Sequence, residues 1–289
     1  DMAGVWLAQK SSRIIGVVVN DGVKYEGKVL EDGFVTASLN ALSREVNEKG
    51  FFLMIKTVRA LDEIPAFASM WRMEGLILMG FCEADYAALR QVIHTPVVVY
   101  DGYMQGCDGV VNLAIDHRDG GRQAGHYLKD AGHTRALCLA DNNICMDQER
   151  MDGFAEAFGR DRVTRWQIPA LAQPRRQFYE EHFASLCASG ITAAFAASDF
   201  YALDFMHFLQ GKGLRVPGDM AVVGFDDSEA SRTSFPQLTT VRQDAALRAG
   251  VAVDCIEAMR KGRSVAEKIV LPVTLLPRES TGGILCQSL

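Results

Sequence analysis

The chain of 289 residues is 48% hydrophobic and 23% charged, ordinary proportions for a globular protein that can bury one large core or two medium ones. It contains no apolar run of 18 residues, which excludes a helical membrane span. Its formal net charge of −6 denies it the basic face that general binding to nucleic acid requires.

In chain order, residues 14–20 form an apolar run ending in polar side chains, the pattern of a buried strand. A helix is predicted over 30–49, where Leu30, Phe34, Leu39, Leu42 and Val46 recur at helical spacing and Gly50 closes it. Strands at 51–55, 76–79 and 97–100 alternate with helices at 61–73, interrupted near Pro65, and at 84–93. The alternation resumes with strands at 110–115, 136–139, 163–168, 193–196 and 220–225, and helices at 119–131, 148–158, 175–189 and 200–212. An amphipathic helix over 245–260 and strands at 268–271 and 273–276 follow. The rhythm is that of an α/β protein with parallel sheets covered by helices on both faces. Two sheets of about five strands fit the count better than one of ten. No linker rich in Pro, Gly or Ser separates the halves, which points to several crossovers between them instead of a single tether.

Seven cysteines, an odd number without a Cys-x-x-Cys pair, suggest neither a disulfide framework nor a zinc knot. Most lie in or beside apolar stretches, as reduced thiols acting as small hydrophobes do, which favours a reducing, cytoplasmic setting. The six histidines lack metal-ligand spacing, so no metal and no cofactor is expected. The start of the chain does not read as a secretory signal. There is no Gly-x-Ser-x-Gly elbow, no phosphate loop, and no Gly-x-Gly-x-x-Gly after the first strand. A sheet protein of this kind without a phosphate cradle is suited to binding more than to catalysis.

Ligands of open α/β sheets sit beyond the carboxyl ends of the strands. Asn20 and Asp21 follow the first strand, Asp101 the fourth, and Asp226 and Asp227 the strand that Gly224 interrupts. Tyr100 and Tyr103 could add an apolar platform or serve as core and surface residues, and Asp101 reads equally as a turn residue before Gly102. The most informative stretch runs from Pro217 to Gln243. It carries Pro-x-x-x-x-Val-x-Gly-Phe-Asp-Asp over 217–227 and Pro-x-Leu-Thr-Thr-Val-x-Gln over 236–243. Both closely resemble the lactose-repressor/galactose-repressor family of bacterial transcriptional regulators, and the likeness extends from about Arg13 to Gly282.

The resemblance implies a two-lobed, periplasmic-binding-protein-like fold, each lobe a doubly wound parallel sheet flanked by helices. It implies one lobe of residues 13–111 with 244–271 and a second of 112–243 with 272–289, after a hinge remnant at 1–12. A small effector, most often a sugar, would bind between the lobes and control operator binding allosterically, as in a repressor. The DNA would be read by a helix-turn-helix not in this chain, and the regulator would be a homodimer without membrane contact. Asp101 and Asn20 would touch the effector from one side. On the other, the Arg-x-x-Gly-Phe element places Arg150, whose planar fork can hold two ligand oxygens, with Met146 lining the cleft. A surface ion pair of Arg150 with Glu149 or Asp152 is the plainer alternative. Ser198 would present a hydroxyl, Asp199 a helix cap or a ligand contact, and Asp226 a ligand contact, while Asp227 satisfies nearby backbone donors. Gln243 would reach the ligand or the hinge. Leu7 matches the family's DNA-hinge leucine, although Val5 stands where the family has arginine.

Two other readings share the fold. A solute receptor of a sugar transporter would have the same lobes and cleft. An enzyme would use Asp226 with Asp227, but neighbours on a strand point to opposite faces and make a poor acid–base dyad.

Overall fold

The computed structural model describes residues 12–22, 25–82, 84, 86–103 and 108–282. The chain divides into two units, one of residues up to Ile115 with Asp244–Leu271, the other of Asp116–Gln243 with the residues from Pro272 onward. It therefore passes from unit to unit at 115/116, 243/244 and 271/272.

The first unit alternates β1 (Ile14–Asn20), α1 (Gly33–Glu48), β2 (Phe52–Val58), α2 (Ile64–Met70), β3 (Gly75–Met79), α3 (Tyr86–Val92), β4 (Val97–Tyr100) and β5 (Val110–Ile115). Its sheet runs β2-β1-β3-β4-β5 and ends on a strand from the far part of the chain, Lys268–Leu271, parallel to β5. The period-two pattern of β1 is buried on both sides: Ile15, Val17 and Val19 join one core cluster, Ile14 and Val18 the other. Asp32 starts α1 by accepting from the amides of Phe34 and Val35 at 3.0 and 3.1 Å. The helix expected over 61–73 is broken near Pro65, where a 3-10 turn at Leu61–Glu63 gives way to α2. Pro65 stands in the first turn of α2, where proline's missing N–H costs nothing. The chain leaves this sheet after Ile115, four residues beyond the crossover expected at 111, because Val110–Leu113 pairs with β4 and Ala114 and Ile115 stay paired with the Lys268–Leu271 strand.

The second unit follows with α4 (His117–Asp130), β6 (Ala136–Ala140), α5 (Cys145–Phe158), β7 (Val163–Gln167), α6 (Ala172–Ala188), β8 (Ala193–Ala196), α7 (Asp199–Gly211), β9 (Ala221–Asp226), α8 (Glu229–Thr233) and β10 (Thr239–Gln243). After it come α9 (Ala245–Arg260) and β11 (Lys268–Leu271) of the first unit, then β12 (Val273–Leu276), which pairs antiparallel with β10. The second sheet is ordered β12-β10-β9-β8-β6-β7. Each sheet thus has six strands, not five, because β11 and β12 are dealt one to each and β10, which the sequence reading did not predict as a strand, joins the second. On one face Phe154 stacks between Phe158 and Phe195, with centroids 5.5 and 5.0 Å away. Helices α4 and α5 approach so closely there that a Cβ on Gly121 would strike the Arg150 carbonyl, and one on Gly153 the Arg118 carbonyl. That contact fixes the height at which α5 carries Arg150.

Candidate functional site

At the carboxyl edge of the second sheet, β9 ends in Phe225 and Asp226. Above Phe225 lies Arg150, 4% exposed, with its Cζ 3.7 Å from the ring centroid. Its Nε donates to His117 Nδ1 at 3.1 Å and its Nη1 to the Ala197 carbonyl at 2.5 Å. Asp226 Oδ1 is 3.7 Å from the same Nη1 and accepts from Gln243 Nε2 at 2.6 Å. Among the described residues no acceptor meets Nη2. The surface pairs that Arg150 could have formed are taken by others, Glu149 by Arg118 at 3.0 Å and Asp152 by Arg165 at 2.7 Å. Met146 lies one turn before Arg150 on α5 and is half-buried. Beside it, Asn142 donates to Asp141 and Asp147 at 2.8 and 2.7 Å.

The turn after β9 is held under strain. Asp226 and Asp227 have φ values of 127° and 55°, a region that side-chain-bearing residues avoid. Asp199, 1% exposed, clamps the turn from below. Its Oδ2 accepts from the Ser228 amide at 2.7 Å and hydroxyl at 2.9 Å, and its Oδ1 from the Thr240 hydroxyl at 2.5 Å. The Asp227 amide in turn donates to Thr240 Oγ1 at 3.3 Å. A Cβ on Gly224 would collide with Asp199 Oδ1, so the glycine before Phe225 makes room for the clamp. Burial pushes the Asp199 carboxyl up to about 6, opposed by the hydrogen bonds from Thr240 and Ser228. The helix cap is Ser198, whose Oγ accepts from the Tyr201 amide at 3.4 Å. Asp227 does not serve backbone donors: its carboxylate pairs with Arg278, with Arg232 3.8 Å away.

In the first unit, Asn20 ends β1 and donates to the Gly80 carbonyl at 2.8 Å. Asp101 follows β4 with φ 56° and is 3% exposed. Arg248 Nη2 of α9 meets its carboxylate at 2.9 Å, and the Ile115 amide donates to it at 3.3 Å. Arg248 also donates to the Leu113 carbonyl at 2.6 Å and lies 4.0 Å over the Tyr100 ring. Burial drives the Tyr100 hydroxyl well above its ordinary range, and it has no hydrogen-bond partner among the described residues. The pair ties β4, β5 and α9 together. Asp101 is thus neither a simple turn residue nor an open carboxylate.

Residues 126–281 match the periplasmic binding protein-like domain, more than half of the chain. The chain belongs to that family. Within it, the chain is an effector-binding core of the lactose-repressor/galactose-repressor kind. It is 27% identical to the HTH-type transcriptional regulator GalR of Escherichia coli (strain K12), over 95% of this chain and 80% of that protein. It is 26% identical to the regulator CelR of Thermobifida fusca over 95% and 83%, and 30% identical to the repressor PurR of Haemophilus influenzae (strain PittEE) over 74% and 66%. Among solved structures, a CelR–cellobiose complex superposes with a TM-score of 0.80 at 23% identity, covering 94% of this chain and 85% of that one. A lac repressor dimer bound to operator and an anti-inducer gives 0.80 at 24% identity, covering 97% and 85%. At these identities the superpositions speak for the fold.

Of the residues the sequence singled out, this periplasmic binding protein-like core brings Arg150, Asp226 and Gln243 together, Gln243 hydrogen-bonded to Asp226 and Arg150 ion-paired with it at 3.7 Å. Ser198 stands at the end of the adjacent β8, next to the carbonyl that Arg150 uses. Asn20 and Asp101 belong to the other unit, on strands separated by β3. Leu7 lies outside the described residues. Two participants escaped the sequence reading. His117 stands two residues after β5 and was reachable by the same strand-end rule that found Asn20. Arg248 breaks the apolar face of its helix, between Ala245, Ala249 and Ala252, and a buried cation there calls for a buried partner. Among the described residues no group of His, Cys, Asp or Glu is arranged to hold a metal, and no helix is long and apolar enough to cross a membrane. The site offers a cationic fork, one carboxylate and amide and hydroxyl groups, a set that recognises hydroxyls by hydrogen bonding.

Proposed function

We propose that this chain is the effector-sensing domain of a bacterial transcriptional regulator, and that its second unit holds a small, uncharged, hydroxylated molecule, a sugar in the first instance, through Arg150, Asp226, Gln243 and Ser198. The observation that carries the reading is Arg150: buried, stacked on Phe225, held at Nε and Nη1, and unmet at Nη2 among the described residues. Its charge is matched by Asp226 at 3.7 Å, with Asp141 on the loop before α5 and Asp147 in the first turn of α5, so a phosphate would meet an unfavourable field. The CelR relative's structure is a cellobiose complex, and another relative of the same fold holds ribose. The regulator reading is preferred to a transporter's solute receptor because the curated relatives are transcriptional regulators. A signal is preferred to a reaction because the two neighbouring carboxylates have separate commitments, Asp226 to Gln243 and Asp227 to Arg278. Operator DNA would be read by a helix-turn-helix carried elsewhere, in a cytoplasmic homodimer, with no cofactor. Coupling of about 1–3 kcal/mol between effector and operator would change operator affinity roughly 5- to 150-fold.

A thermal-shift panel of D-galactose, cellobiose, D-ribose, polyols, nucleobases, amino acids and sugar phosphates tests this. A sugar at a hundred times its dissociation constant stabilises the fold by about 2.7 kcal/mol, several degrees in melting temperature. Arg150→Ala and Asp226→Ala each weaken that sugar roughly 10- to 100-fold by removing charge-assisted hydrogen bonds. The proposal fails if no hydroxylated compound shifts the melt, if phosphates shift it most, or if both variants bind as wild type does.

A further inference from the structure

The contacts that hold Arg150 include one that dictates a protonation state. Its Nε–H, which keeps its proton at any accessible pH, points at His117 Nδ1 from 3.1 Å. That nitrogen must present a lone pair, so the proton of the neutral ring is on Nε2. A His117 protonated on both nitrogens would set N–H against N–H at the same place. His117 is the first residue of α4, 3% exposed, and its ring packs against Phe225 with centroids 6.1 Å apart. Phe225 is also the ring on which the guanidinium stacks. The two aromatic side chains constrain different motions of the arginine. Stacking on Phe225 sets the plane of the guanidinium, and the His117 lone pair sets its rotation within that plane. With Nε turned toward His117 and Nη1 toward Ala197, Nη2 is the edge left over. A carboxylate in place of His117 would accept the same N–H but would also neutralise the cation. A neutral acceptor orients the arginine without adding a second carboxylate to the one Asp226 already sets beside it.

We infer that His117 is the positioning residue of this site: as a neutral acceptor for Arg150 Nε–H, it turns the guanidinium so that its Nη2 edge meets a ligand oxygen. The inference rests on the effector reading of Arg150, and its first test needs no effector.

Protein labelled with 15N-histidine, with His117 assigned by the signal missing from His117→Asn, reports the tautomer directly. The expected result is the Nε2–H form, with an Nδ1 resonance that moves in Arg150→Ala. The Nδ1–H form, or a resonance indifferent to Arg150→Ala, overturns the inference. The second test uses whichever of D-galactose, cellobiose and D-ribose shifts the wild-type melt. His117→Asn keeps an acceptor oxygen near the Nδ1 position and should bind that sugar within about threefold of wild type, whereas His117→Leu keeps volume without an acceptor and should lose about tenfold or more. Combined with Arg150→Ala, His117→Leu should cost nothing further, since its effect runs through the arginine. Equal losses in His117→Asn and His117→Leu, or additive losses in the double variant, would mean that the ring only fills space. Should none of the three sugars bind, the sugar reading falls, while the tautomer and its response to Arg150→Ala still decide whether His117 orients the arginine.

Discussion

Replacing Asp199 by Asn should change how stability depends on pH, in a direction the structure fixes. The carboxyl is 1% exposed, and burial raises it from an unfolded value of 3.8 to about 6 despite donors from Thr240 and Ser228. Between those values the folded chain binds the proton more tightly than the unfolded chain does. Its contribution is therefore fully present below the unfolded value and is lost as pH rises through about 6. From pH 5 to pH 7.5 the wild type should lose roughly 1–2 kcal/mol through this group alone. Asn cannot titrate, yet it can keep the fold: its oxygen can accept from Ser228, and the Thr240 hydroxyl can rotate to accept from the new amide. Urea unfolding of both proteins across that range would show Asp199→Asn gaining on wild type by the same roughly 1–2 kcal/mol as pH rises. Parallel curves would refute the buried-carboxylate argument. A variant that loses ground with rising pH would show that the hydrogen bonds outweigh burial and that the group is depressed instead.

Two further expectations concern the scaffold of the site. Gly121→Ala puts a methyl against the Arg150 carbonyl and should destabilise by about 3 kcal/mol, a drop of roughly 6–12 °C in melting temperature, since backbone lies on the far side and cannot swing away. A melt within about 1 °C of wild type would mean that α4 and α5 can slide apart freely. Arg248→Ala strands the Asp101 carboxylate beside the Tyr100 ring and should cost about 3–5 kcal/mol by urea unfolding, with Asp101→Asn in the same chain recovering part of the loss. If Asp101→Asn recovers nothing, the carboxylate has other support.

Much of the architecture was legible because it is written in local periodicity. The run at Ile14–Asn20 carries its own boundaries, apolar residues ending at a polar tip, and its strand has those same limits. Gly224-Phe225-Asp226-Asp227 could be read as a strand end, and Arg150 as a fork of donors, because strand-edge placement and side-chain chemistry belong to the residues themselves. Helix starts were less legible. The sequence predicts α5 from 148 and α4 from 119, whereas they begin at Cys145 and His117; α5 starts without a side-chain cap, and α4 is started by the Asp116 cap, which apolar spacing does not show. For the same reason Ser198, and not Asp199, caps α7.

What local pattern decided, then, was the order of strands and helices and the chemical character of the strand tips. Tertiary structure alone decided which tips stay open. Asp101 meets Arg248 across 147 positions of chain, Asp227 meets Arg278 across 51, and β11 and β12, separated by one proline, part to different sheets. A side chain's partner is whatever the packed fold carries to within about 3 Å of it, and no window of neighbouring residues contains that distance.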